Sequence, residues 1–440
     1  MTIIPLREQI LGNLPQKDAV SILPYIEDGE EVVFTVKRGR EEKALCLSLK
    51  RQSEQITASG SYFVGIDWIR ENELAVQVSP KMNYDFEVDF VKMLNDALLE
   101  PENFEHLSDL ITIRFDKPLI KVNQQQDKLS LFLITEYLSI LYRIVRKGLK
   151  RSYYTVEDNL IKKVKGKILI GKNIRKNHSR GNITDNVCRF QVYDIDSPEN
   201  QILKKALRFC SKQLEIYRNA VDNIDALKKK VCLITPYFDN VSDVISVKSI
   251  KSYKGNPVFK DYNRAIKFAQ LLLRRYSYDI TVIGKDEIQT PPFWIDMSKL
   301  FELYVFHHLR QVFTAKNEVS YHVKAHYQEL DYLLNPKEWP EPYIIDAKYK
   351  PRYKTEGVSI DDAREICGYA RLSCIYANLK KLKHGFDEET APPIKCLIVY
   401  PDQEQEEHFS FTRDKEPQFE KVSGYVRFYK IGIRLPVIIN

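Results

Sequence analysis

Residues 296–401 restrict the fold more than any other part of the chain, because their apolar spacing changes from helical to alternating and back. In "DMSKLFELYVFHHLRQVF", Met297, Leu300, Phe301, Tyr304, Val305, His308, Leu309 and Val312 recur three and four residues apart, with Asp296 placed to cap the first turn. "ELDYLL" and "YIIDAKYK" follow with strand character. "SIDDAREICGYARLSCIYANLKKL" then returns to a helical period, with Ser359 as cap and Asp361 and Asp362 in the first turn. "IKCLIVYP" closes the series as a short apolar strand of the kind buried inside a sheet. Helix, strand, strand, helix, strand is an α/β order.

One strand in this series carries charge where burial is expected. Tyr343-Ile344-Ile345 runs into Asp346, and two residues later comes Lys348. At period two these charges share a face while Ile345 and Ala347 take the other. If "ELDYLL" and "YIIDAKYK" pair as a hairpin centred between Glu338 and Trp339, Asp331 falls opposite Asp346. Cross-strand partners hold their Cβ atoms about 4.5–5.5 Å apart, so two carboxylates there repel unless one is protonated or a cation lies between them. Mg²⁺ suits such a pair, since it takes hard oxygen ligands from one or two carboxylates and completes its shell with water and phosphate. Lys348 on the same face is placed to orient a water or to stabilise a phosphorane-like charge. Asp331, Asp346, Lys348 and a metal therefore make a phosphodiesterase centre. The acid-x-lysine triplet alone is weak, because Glu41-Glu42-Lys43 is another; the plain alternative is a salt bridge on a strand surface.

Upstream, short strands dominate. "EEVVFTVKRGREEKALCLSLK" reads as a hairpin about Arg38-Gly39-Arg40, and "SYFVGIDWI" and "ELAVQVSPKM" read as further strands, the last closed by Pro80. Helical spacing takes over from about residue 85 to 99 and again over 128–150. "DNVCRFQVYDIDSPENQILKKALRFCSKQLEIY" gives a strand, a turn at Ser197-Pro198 and a long helix, and Gln289-Thr290-Pro291-Pro292 reads as a loop. These breaks predict three regions: a β-rich N-terminal domain over 1–118 offering a docking surface, a basic, mixed and largely helical region over 119–289, and an α/β domain over 290–440.

The net charge of +7 is unevenly placed. Between Arg143 and Arg180 lie Lys162, Lys163, Lys165, Lys167, Arg175 and Lys176 among other cations, with Glu157 and Asp158 the acids and Tyr153, Tyr154 and His178 interleaved. Such a surface grips phosphates, and these six residues are the candidate DNA contacts. A solvated helix face that confers solubility is the alternative. The 44% hydrophobic and 29% charged composition is globular, no run of about 18 apolar residues predicts a membrane span, and the start lacks a secretory signal's pattern. A cytoplasmic protein is expected. The seven cysteines are dispersed without a C-x-x-C pair, which predicts reduced thiols and small core residues rather than a zinc site.

With these motifs in hand, a resemblance emerges. Asp331, Asp346 and Lys348, following a helix with Glu302 and preceding one with Glu365, look like a PD-(D/E)xK nuclease core. "FWIDMSKLFELYVFHHL", "YIIDAKYKP" and "DDAREICGYARL" resemble the McrC family, the nuclease subunit of modified-cytosine restriction systems. "YFVGIDWI…LAVQVSPKM" and "KGKILIGKNIRKN…CRFQVYDIDSPENQILKKAL" are similar to that family's upstream segments. The resemblance implies a restriction-endonuclease-like C-terminal domain in which Asp331 and Asp346 bind Mg²⁺, with Mn²⁺ able to replace it. It further implies Lys348 as catalytic lysine, Glu302 as helix-borne acid and Glu365 as a supporting acid where many such nucleases carry glutamine. Leu330 stands where the motif's name has proline, which contributes no chemistry. The implied partners are DNA and a McrB-like AAA+ GTPase ring, with no membrane. No G-x-x-x-x-G-K-S or -T occurs, and "GKILIGKN" reads as a basic strand, so no nucleotide is expected on this chain. The other functional class is a non-catalytic subunit that docks on and stimulates the motor, with the nuclease-like domain as scaffold.

Overall fold

The structure is a computed structural model. It describes residues 2–38, 42–81, 88–100, 102–106, 110–114, 116–123, 129–216, 225–242, 259–277, 287–315, 317–325, 328–382, 391–404 and 411–437. The chain is mixed α/β and forms two compact units, one from residues 1–128 with 287–440 and one from 129–286.

In the first unit the N-terminal part is β-rich. A four-stranded antiparallel sheet runs in the order Leu11–Asn13, Gln55–Gly60, Glu42–Gln52, Glu31–Arg38. Its last two strands form the expected hairpin, whose turn at 39–41 lies outside the described residues. A second sheet has the order Thr2–Arg7, Leu74–Ser79, Phe63–Arg70, Phe293–Asp296, Ile111–Ile113. Between them Leu6, Phe34, Leu47, Leu49, Val76 and Trp294 make one buried cluster. Each such side chain contributes about 1.5–3 kcal/mol when fully buried.

The fourth strand of that second sheet comes from far along the sequence. Phe293–Asp296 inserts between Phe63–Arg70 and Ile111–Ile113, and the helix Met297–Val312 leaves directly from its end. The fit is close: a Cβ on Gly65 would meet the Phe293 carbonyl oxygen at 2.0 Å, so only glycine lets the backbones approach. Trp294 is then fixed through Nε1, which donates to Asp67 Oδ2 at 3.1 Å, while Lys117 Nζ holds Oδ1 at 2.7 Å. The N-terminal sheet therefore anchors the start of the helix that bears Glu302.

A six-stranded mixed sheet fills the rest of this unit, in the order Val319–Ala325, Gln328–Leu334, Tyr343–Ala347, Lys395–Pro401, Phe428–Ile433, Glu420–Lys421. Tyr343–Ala347 pairs antiparallel with Gln328–Leu334 and parallel with Lys395–Pro401, so it is central, and all five of its residues are buried. The helix read over 359–382 is two helices, Ile360–Tyr369 and Ser373–Leu382. The break has a physical cause. Ala363, Ile366, Tyr369 and Ala370 share a core with Ile375, Tyr376 and Leu379, and at about 100° per residue a straight helix would turn the last three away. As expected, Asp296 and Ser359 cap their helices, accepting from Lys299 N at 3.2 Å and Asp362 N at 3.3 Å.

The second unit packs helices Leu129–Lys147, Pro198–Ile216, Asp225–Ile234 and Lys260–Ser277. Tyr137 donates to the Leu203 carbonyl at 2.6 Å, and Arg264 pairs with buried Glu136 at 2.7 Å. It also carries a three-stranded antiparallel sheet, Ser152–Leu160, Asn186–Asp194 and Lys167–Ile168. The basic strand expected over 166–173 is only two residues long and gives way to the helix Ile170–Lys176. The helical reading over 85–99 reduces to Phe90–Ala97, capped by Asp89, with 82–87 outside the described residues. No helix among the described residues is long and apolar enough to cross a membrane.

Candidate active site

The central strand and its antiparallel neighbour pair as Tyr332 with Ile345, Leu333 with Ile344 and Leu334 with Tyr343. Continued by one position, that register sets Asp331 opposite Asp346. Their carboxyls are close enough to hydrogen-bond to each other, and the Ala347 N–H donates to Asp331 Oδ2 at 2.9 Å. Asp346 is buried and Asp331 is partly accessible, so the pair opens toward solvent on one side.

Burial pushes the Asp331 carboxyl well above the usual carboxylate range, and the charges of Asp346 and Glu302 push it the same way. Burial also raises Asp346, with Lys348 opposing. Two carboxyls this close repel when both are ionised, and either a shared proton or a cation between them relieves that cost. Lys348 Nζ sits 2.9 Å from Asp346 Oδ2 and 2.9 Å from Glu365 Oε2. Burial works against its charge, but Asp346 first and then Glu365 hold the ammonium above its ordinary value. Glu365 itself is kept below the ordinary range: burial opposes this, but the hydrogen bonds from Lys348 and Tyr369 and the charges of Lys348 and Lys350 together prevail.

Glu302 lies on the helix Met297–Val312, whose backbone is tied to the sheet where Tyr332 donates to the Glu302 carbonyl at 2.6 Å. Thus Glu302, Asp331, Asp346, Lys348 and Glu365, singled out separately in the sequence, gather about the adjoining strands Gln328–Leu334 and Tyr343–Ala347. Sequence reasoning missed Tyr369, whose hydroxyl donates to Glu365 Oε1 at 2.9 Å, although the four-residue spacing on a helix could have shown it. It also missed Lys350, paired with Asp362 at 2.6 Å.

Among the described residues, no group of three or more His, Cys, Asp or Glu side chains is arranged to hold a metal. The site offers two oxygen ligands rather than a protein cage. That donor set fits Mg²⁺, which keeps several waters and commonly uses one or two carboxylates, and does not fit a closed structural zinc site.

The candidate DNA contacts lie in the other unit. Lys162, Lys163, Lys165, Lys167, Arg175 and Lys176 are all exposed, Lys167 on the short strand and the others on the turn before it and the helix after it. Lys162 has a φ of +52°, and Gly166 has no room for a Cβ, which would meet the Arg189 carbonyl oxygen at 2.4 Å. A buried amide network seats the short helix: Asn177 Nδ2 donates to Asn159 and Asn173 Oδ1, both at 2.7 Å, and Val187 N–H donates to Asn173 Oδ1 at 2.9 Å. Open grooves of about 330 Å³, lined by Asn159, Lys172, Arg175 and Lys176, and about 410 Å³, lined by Lys162, Lys163 and Thr184, flank it. Glu157 is taken up by Lys172 and Arg189, and Lys165 lies over the Phe190 ring at 4.5 Å.

The fold and site together define an α/β protein with two facing acids, one of them buried, and a lysine beside them on a mixed sheet. The family model of the "McrBC 5-methylcytosine restriction system component" matches residues 62–376, well over half of the chain, and the chain belongs to that family. No curated protein matches it. Among solved structures it is similar to a half-complex from a tetradecameric assembly of Thermococcus gammatolerans McrB AAA+ hexamers with bound McrC. There the identity is 15% and the TM-score 0.37, with 98% of this chain and 94% of that one covered. A cryo-EM structure of the McrBC complex of the same organism matches at 15% identity and a TM-score of 0.28, covering 73% of this chain and 89% of that one. Scores this low carry no equivalence of fold.

Proposed function

We propose that this chain is the McrC-type nuclease subunit of a modification-dependent, anti-phage restriction system, a Mg²⁺-dependent DNA endonuclease with a PD-(D/E)xK core. It acts in the cytoplasm once an AAA+ GTPase ring recruits and licenses it. The observation that carries this reading is the cross-strand Asp331–Asp346 pair with Lys348 against it, in a chain of the McrBC family. A scaffold has no reason to set two repelling carboxyls face to face with an ammonium beside them.

In this mechanism Asp331 and Asp346 would hold the divalent ion, which would supply charge stabilisation at a phosphoryl oxygen and make a water more acidic. Lys348 stays cationic, orients the attacking water and meets the charge that grows on the phosphate. Glu302, whose charge reaches Asp331, would act on the same water, and Glu365 steers Lys348. The exposed cations of the second unit neutralise phosphates along the duplex without reading bases.

Chelation tests the reading. Supercoiled DNA carrying methylated cytosine, incubated with the chain, its ring partner and GTP, is nicked in Mg²⁺, spared on adding EDTA and nicked again on restoring Mg²⁺. Cutting that continues in EDTA overturns the metal-dependent assignment. GTP turnover stimulated by the chain, with no cutting under any metal, favours the docking and stimulating subunit instead.

A further inference from the structure

His322 is strained where regular geometry would suffice. The strands Val319–Ala325 and Gln328–Leu334 pair Tyr321 with Tyr332 and Val323 with Leu330, and the position between, His322 opposite Asp331, drops out of the ladder. There His322 adopts a φ of +51°, a left-handed conformation that is costly for a non-glycine residue.

The twist redirects the ring. Successive side chains of a strand point to opposite faces, yet the His322 and Tyr321 rings lie side by side with centroids 4.0 Å apart. Nδ1 is 3.1 Å from Glu329 Oε1, and Nε2 is 3.8 Å from Glu302 Oε2. The Glu329 carboxylate on the Nδ1 side limits how the ring can turn. The remaining gap to Glu302 is one that a bridging water or a small turn of the acid closes. Glu302 is in turn near enough for its charge to act on Asp331. The Tyr321 hydroxyl, buried beside the same acids, has no hydrogen-bond partner among the described residues, so this corner holds unspent polar capacity.

We propose that His322 is a positioning residue for the nuclease centre: Glu329 fixes the imidazole, and the imidazole holds the Glu302 carboxylate toward the Asp331–Asp346 pair. The inference rests on the nuclease reading above. It accounts for the left-handed backbone, since a regular strand would turn the ring away from Glu302. If His322 only packs against Tyr321 and His106, its ring centroid being 5.0 Å from that of His106, its loss lowers stability and leaves the cleavage rate of the folded protein unchanged.

The experiment is a double-mutant cycle on nicking by the chain with its ring partner, Mg²⁺ and GTP. His322→Leu is expected to lower kcat about 10- to 100-fold, the usual cost of losing an outer-shell partner, with DNA affinity unchanged. Adding it to Glu302→Gln should cost nothing further, because the histidine acts through that acid. His322→Asn, which tolerates the left-handed backbone and offers an amide donor, should recover part of the rate and stands in if the leucine variant does not fold. Losses that multiply in the double variant, or a His322→Leu chain that cuts at the wild-type rate, overturn the proposal. Wild-type protein that cuts no better than Asp346→Ala overturns the nuclease reading itself and the inference with it.

Discussion

The six-stranded sheet of the first unit and the three-stranded sheet of the second treat charge in opposite ways. In the first, Asp346 is buried, and Lys348, Lys350 and Lys354 each meet an acid from another part of the chain, Glu365, Asp362 and Asp402. In the second, Lys162, Lys163, Arg175 and Lys176 stand in solvent, and Ile161, Val164, Ile170 and Ile183 are exposed among them. Buried, mutually repelling charge costs stability and persists where chemistry uses it. Exposed charge costs little and acts additively with whatever phosphate arrives. Substitutions should therefore be all-or-none in the first sheet and graded in the second.

The sharpest contrast comes from the lysines. Lys348→Ala should reduce cleavage about 10²- to 10³-fold, as removal of a charge-stabilising donor does elsewhere. DNA affinity and partner-stimulated GTP turnover should be retained. Loss of cleavage and turnover together would show that the hairpin is a docking surface. Replacing Lys162, Lys163 and Lys165 with Gln should instead weaken DNA binding progressively and flatten its dependence on log salt by about 0.9 for each phosphate left unneutralised. The cleavage rate at saturating DNA should stay as it was. Unchanged DNA affinity with a failed partner complex would reassign the basic module to protein docking.

The smallest expected effect concerns Glu8, which follows the first strand and is buried beside Tyr349, one residue beyond Lys348. Burial pushes its carboxyl up to about 7, although the Lys81 N–H and the Tyr349 phenol pull it down, with Asp296 adding to the rise. The unfolded chain releases this proton near 4.5 and the folded chain only near 7. Stability from this group is thus full below 4.5 and is lost as pH rises through 7. Glu8→Gln should raise stability at pH 8 by up to about 3 kcal/mol, seen as a higher Tm, and leave it nearly unchanged at pH 4.5. A variant equally destabilised at both would show that the carboxyl is needed in its charged form.

Much of the site was legible because it is local. The register that opposes Asp331 to Asp346 follows from a single hairpin, and Asp296 and Ser359 announced their helices through capping chemistry. Non-local features were not legible. Nothing near Phe293–Asp296 shows that it returns to the N-terminal sheet, since its partner surface at Gly65 lies over two hundred residues earlier. "GKILIGKN" alternates like a strand, yet Asn173 takes its place in an amide network that favours a helix. The break at residues 370–372 shows only when the two halves are required to face one core. His322 could have been found opposite Asp331 had "VSYHVKA" been read as a third strand, but its left-handed backbone has no signature in the residues around it.

The direct test of the central claim is nicking of supercoiled DNA by the Asp346→Ala chain, reconstituted with its ring partner, Mg²⁺ and GTP, with Tm measured on the same preparation. The variant removes one metal ligand and relieves the repulsion with Asp331. The account predicts nicking reduced to background while Tm is unchanged or slightly higher; undiminished nicking by the folded variant would contradict it.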